Sequence, residues 1–233
     1  MAQSAVRSPK DDLQRLRGPT VKIMVGASKK PFHVHESIIC TSSLFFKMAM
    51  SGPWKESEEH TIELPEDDPI TFAVYSHWLY YAKIPVIVED AANEKPSQVS
   101  AQEYNDLAKA YVLGDKLLDV KFQNYAIDAI IERRFTPDAK TGKCYLPNRQ
   151  SINYTYDNTT ESATIRKLFV DMYVGNMTPG WLSRELPKDF LFLLLRAVIE
   201  KTFVLSENIK ASDYYVHSST EEKGLKRKLE ADP

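Results

Sequence analysis

Apolar and polar positions alternate with period two through Val21-Lys22-Ile23-Met24-Val25, and Gly26 closes the run. A second run, Pro31-Phe32-His33-Val34-His35, follows the polar Ser28-Lys29-Lys30, so the pair predicts a short β-hairpin. Glu36 to Cys40 and Ser43 to Met50 then read as two short helices, with Ser42 the expected N-cap of the second and Gly52-Pro53 its end. Thr61-Ile62-Glu63-Leu64 alternates again and stops at Pro65, which predicts a third strand.

Asp68-Pro69 is a helix start with a mechanism: the carboxylate accepts otherwise unpaired amide protons, and proline at the first helical position has no amide to lose. The helix is expected to reach Tyr81, with Phe72, Tyr75, Trp78 and Leu79 on one face and Pro85 barring continuation. Val86 to Ser100 mixes short apolar runs with turn residues and predicts a strand remnant followed by a loop. Tyr104, Leu107, Ala108 and Tyr111 follow helical spacing, as do Phe122, Ala126, Ala129 and Ile130, and the short Leu118-Asp119 junction makes these a helical hairpin.

The pattern weakens over residues 135–160, where Pro137, Gly142, Pro147 and a run of Asn and Thr predict a long polar connector. Beyond it, Ile165, Leu168, Phe169, Met172 and Tyr173 mark an amphipathic helix. Pro187 to Phe203 marks another, apolar on most sides around Phe190 to Ile199 and therefore expected to be nearly engulfed. The expected organisation is a flexible arm over 1–19, a core domain over 20–134, the connector, a helical extension over 161–206 and a polar tail over 207–233.

Composition narrows the function classes. With 30 basic and 32 acidic side chains the formal charge is -2, which provides no global positive field for a phosphate backbone, so nucleic acid is not an expected partner. The longest apolar run, Phe190 to Leu195, is too short to span a bilayer, and Met1 to Arg17 holds no apolar leader core, so a chain in the cytoplasm, the nucleus or both is expected. Two cysteines, Cys40 and Cys144, fit neither a disulfide framework nor a zinc motif. His33, His35 and Cys40 lack a fourth ligand at suitable spacing, so no metal is expected, and His35 reads as a hydrogen-bonded residue at a strand-to-helix turn. The eight glycines form no phosphate-binding loop, and neither a Gly-x-Ser-x-Gly elbow nor an HExxH helix occurs, so no catalytic residues or cofactor are expected.

The residues from Phe32 through His35, Ser37-Ile38-Ile39 and Ser43 to Phe46 resemble the BTB/POZ signature, in which a Phe-x-x-His strand end leads into an apolar helix and then Ser-x-x-Phe. Ile62-Glu63-Leu64-Pro65 and Trp78-Leu79-Tyr80-Tyr81-Ala82-Lys83-Ile84-Pro85 look like the family's next landmarks. The resemblance spans about Thr20 to Arg134, and the later helices are similar to the extension of many fungal BTB proteins. It implies an α+β fold, the BTB/POZ fold, in which a small β-sheet carries a cluster of short α-helices, followed by an α-helical extension. Two positions depart from the family: Thr20 stands where an Asp is common, and Ala82 where a Gly is common.

The same resemblance implies a non-enzymatic adaptor or scaffold with protein partners and a tendency to homodimerise. Trp54-Lys55-Glu56 matches the apolar-x-Glu motif of members that recruit a cullin scaffold for ubiquitin ligation, so Trp54 and Glu56 would face the cullin, with Tyr80 a third contact. An aromatic anchor beside a carboxylate suits such a role, since the ring supplies desolvated area and the charge sets register. The alternative is a homo-oligomerising nuclear scaffold without ligase activity, for which Lys223, Lys226, Arg227 and Lys228 would form a basic localisation patch.

Overall fold

The computed structural model describes residues 10–52, 59–88, 94–176, 180, 182–201 and 210–216. They fall into two compact units: residues 1–83 with 116–119, and residues 84–115 with 120–233.

In the first unit, β1 (Thr20–Val25), β2 (Lys30–His35) and β3 (Thr61–Leu64) form a sheet with β1 at its centre. β2 runs antiparallel to it, pairing Val21 with Val34 and Ile23 with Phe32. β3 runs parallel, pairing Ile23 with Ile62 and Val25 with Leu64. Val21, Ile23 and Val25 are completely buried. A one-residue slip would turn all three outward at about 1.5–3 kcal/mol each, so the alternation fixes the register. Gly26 closes β1 at φ 75°, and a Cβ there would meet the Pro69 ring at 3.0 Å. Only glycine suits both that conformation and that contact.

Short helices α1 (Glu36–Ser42) and α2 (Leu44–Ser51) connect β2 to β3. The N-cap of α2 is Ser43 rather than the expected Ser42: its hydroxyl accepts from the Phe46 amide at 3.2 Å and donates to the Leu117 carbonyl at 2.6 Å. Ser42 instead donates to Asp119. α3 (Pro69–Tyr81) starts as expected on the Asp68 cap, whose side chain accepts from the Ile70 amide at 3.0 Å. Phe72, Tyr75 and Trp78 are buried and Leu79 is half-buried. Its end is set at Ala82, which takes the left-handed conformation (φ 50°, ψ 37°) and donates its amide to the Trp78 carbonyl. Glycine is the residue best suited to this geometry. The arm over 10–16 is a 3-10 helix with Leu13 and Leu16 exposed.

The second unit is helical. No strand forms over Val86–Val88, and the loop expected up to Ser100 gives way at Pro96 to the long α4 (Pro96–Lys116). α5 (Val120–Phe135) returns, and the pair is close at one point: a Cβ on Gly114 would lie 2.8 Å from Gln123 Cγ. The polar connector expected over 135–160 is in part a helix, α6 (Arg149–Asp157), which buries Ser151, Ile152, Thr155 and Tyr156. The Asn148 side chain caps it, accepting from the Ser151 amide at 2.9 Å. α7 (Thr164–Tyr173) buries every apolar position expected of it. α8 (Lys188–Lys201) is not engulfed: Phe190 and Leu194 are buried, while Phe192, Leu195 and Ile199 are 61–68% exposed. Phe190 meets Tyr156 and Tyr173 edge-on, at 5.8 and 5.4 Å between ring centres.

Candidate protein-interaction surface

Of the residues expected to face a cullin, only Tyr80 lies among the described ones; Trp54 and Glu56 fall outside them, as do Lys223, Lys226, Arg227 and Lys228. Tyr80 sits in the last turn of α3, 37% exposed. Its hydroxyl accepts from the His35 backbone amide at 3.1 Å and lies 2.8 Å from His35 Nδ1. The two rings meet at 72° with centres 5.9 Å apart. The phenol is thus tied to both the backbone and the ring of His35. A long surface side chain is thereby fixed before any partner arrives, which lowers the entropy cost of using it in an interface.

The same unit exposes further apolar groups that the motif reading did not single out. Leu44 and Met48 are 51% and 59% exposed, and their spacing of four places both on one face of α2. That helix ends at Gly52, directly before the segment with Trp54-Lys55-Glu56. In α3 and its vicinity, Tyr81 is 67% and Ile70 71% exposed. Tyr81 stacks obliquely on His77, whose ring bonds the Lys83 carbonyl. The four-residue spacing of Leu44 and Met48, opposite the buried Phe46, was a signal that could have found this face.

Chemistry beneath the surface is structural. Asp119, fully buried, accepts from Ser42 Oγ at 2.6 Å and Tyr75 Oη at 2.9 Å. Burial first, and the adjoining carboxylate second, push the Tyr75 phenol well above its usual range. Lys116 pairs with Asp67 at 2.8 Å, so the 116–119 turn is anchored at both ends. Cys40 is half-buried rather than enclosed, and burial reinforced by Glu36 pushes its thiol up to about 11, which leaves little thiolate at neutral pH. His33 is exposed, and among the described residues no group of three or more potential ligands could hold a metal ion.

The second unit has a cleft of about 480 Å³ whose lining includes Ile84, Val86, Val99, Leu107 and Pro137. The ion pair of Glu103 and Arg133 also lines it. Burial raises the Glu103 carboxyl, and Arg133 opposes the rise. Among the described residues no helix is long and apolar enough to cross a membrane.

Comparison with curated proteins gives no match. Residues 13–95 match the model of the BTB/POZ domain, a range that takes in the whole sheet, α1 to α3 and the Tyr80 turn. With its small three-stranded sheet, its cluster of short helices and its helical continuation, the chain carries a BTB/POZ domain, a module of protein–protein interaction.

Proposed function

We propose that this chain is an adaptor that engages a cullin-type scaffold of a ubiquitin ligase through its BTB/POZ domain, in the cytoplasm or nucleus. The observation that carries the reading is the outward pair Leu44 and Met48 on α2, a helix that leads directly into Trp54-Lys55-Glu56. Apolar side chains on a rigid helix, followed by an aromatic residue and a carboxylate, supply what a partner groove requires: area to desolvate and a charge to set orientation. Tyr80, held by His35, supports the reading as a pre-ordered contact. A substrate would then dock on the helices that follow.

The test is binding of the purified chain to a cullin N-terminal domain by interferometry, with mass measured by light scattering. The joint substitution Leu44→Asp and Met48→Asp should weaken binding at least about 30-fold, equivalent to about 2 kcal/mol at a hot spot. Trp54→Ala with Glu56→Ala should do the same, with circular dichroism unchanged. If the parent chain shows no affinity for the cullin domain and runs as a dimer, the homo-oligomerising nuclear scaffold replaces this reading.

A further inference from the structure

In the second unit, residues 211–216 lie along α5 and α7, where hydrogen bonds of Tyr214, Tyr215 and Asn124 hold them. Tyr214 is buried; its hydroxyl donates to Asp171 Oδ2 at 2.8 Å, and Lys167 Nζ stands 5.2 Å from the centre of its ring. Tyr215 is only half-buried and donates to Asp128 Oδ1 at 2.7 Å. Asn124 holds the backbone of the next residue at two points: Val216 N–H donates to its Oδ1 at 2.6 Å, and its Nδ2 donates to the Val216 carbonyl at 3.2 Å. An amide side chain here takes the place of a neighbouring strand, as in peptide recognition.

We propose that residues 211–216 are a self-docked peptide and that Tyr215 is a phosphorylation site whose modification undocks it. Both tyrosines face carboxylates, and each bond needs the phenol to donate. In the reaction, Tyr215 Oη attacks the terminal phosphorus of a nucleoside triphosphate bound to a tyrosine kinase. A new O–P bond forms, the bond to the leaving nucleoside diphosphate breaks, and the phenolic proton passes to the kinase base. The phenolic oxygen of the product has no proton to donate, and the phosphate sets a charge of about -1.5 to -2 beside Asp128, with Asp213 two residues away in sequence. Attraction becomes repulsion at one of the bonds that hold the segment. Tyr214 does not share this role, because its buried ring is closed to an enzyme. The inference rests on the second unit alone and is independent of cullin binding.

The full chain is treated with a broad-specificity tyrosine kinase and ATP, the modified residues are mapped by mass spectrometry, and amide hydrogen exchange is followed over 210–216. Tyr81, which is 67% exposed, reports that the kinase is active on this protein. Tyr215 should be modified at least about tenfold faster than Tyr214, and exchange at Val216 should then accelerate by about tenfold or more. Tyr215→Phe removes one neutral donor without adding charge and should change exchange only about two- to fivefold. Asn124→Ala should free the Val216 amide without modification. Modified chain that exchanges like the parent overturns the proposal, as does a reaction that labels Tyr81 and leaves Tyr215 untouched.

Discussion

One polar network from each unit can be compared, and the two are satisfied in different ways. In the first, the hydroxyls of Ser42 and Tyr75 converge on the side chain of Asp119, a charge enclosed by the protein. In the second, side chains reach for backbone carbonyls: Tyr104 to Tyr145, Tyr173 to Pro147, and Arg166 to Tyr156 and Thr159. A convergent carboxylate ties distant positions at one point, so its loss is felt by each of its donors at once. Dispersed carbonyl bonds instead hold an irregular stretch of chain in place piece by piece, which is how a segment rich in Asn, Thr and Pro comes to be ordered.

Removing each centre tests that contrast. Asp119→Ala takes this acceptor from the half-buried Ser42 hydroxyl and the buried Tyr75 hydroxyl and should cost about 3–4 kcal/mol in urea unfolding, while Asp119→Asn, which keeps an acceptor, should cost markedly less. Arg166→Met should cost about 2–3 kcal/mol, since it removes the bonds to Tyr156 and Thr159 and a guanidinium seated 4.4 Å from the Tyr156 ring centre. Its effect should appear as faster exchange around residues 156–166 before it appears as global unfolding. An equal loss from Asp119→Asn and Asp119→Ala would break the comparison. The smallest change runs the other way: Ala82→Gly relieves a left-handed alanine and should raise stability by about 0.5–1 kcal/mol, read from the shift in melting temperature.

How far the sequence was legible follows the same division. β1, β2, β3 and α3 announced themselves because each has a buried face with the period of its own backbone, and Asp68-Pro69 marked a start that chemistry alone predicts. α6 was hidden because its buried face includes Ser151 and Thr155, whose hydroxyls do not register as core, although Asn148 three residues before Ser151 was a capping signal. The shift from Ser42 to Ser43 as N-cap depended on Asp119 and Leu117, partners more than seventy residues away that no local pattern shows. α8 read as engulfed because an apolar run carries no mark of which side is covered: Phe190 and Leu194 are buried, while Phe192, Leu195 and Ile199 are exposed. At the candidate surface Tyr80 was visible as a landmark, but its bond to His35 required the fold to bring α3 to the end of β2.

The turn at 116–119 also orders events during synthesis. The sheet and α1 to α3 leave the ribosome well before Leu117 and Asp119, yet Ser42, Ser43 and Tyr75 find these partners only there. Until then the nascent unit can gather its strands but lacks the Leu117 and Asp119 acceptors. Its final locking step is therefore timed by the passage of α4, and a translational pause just before residue 119 would prolong the interval in which this unit is open to chaperones and to misassembly.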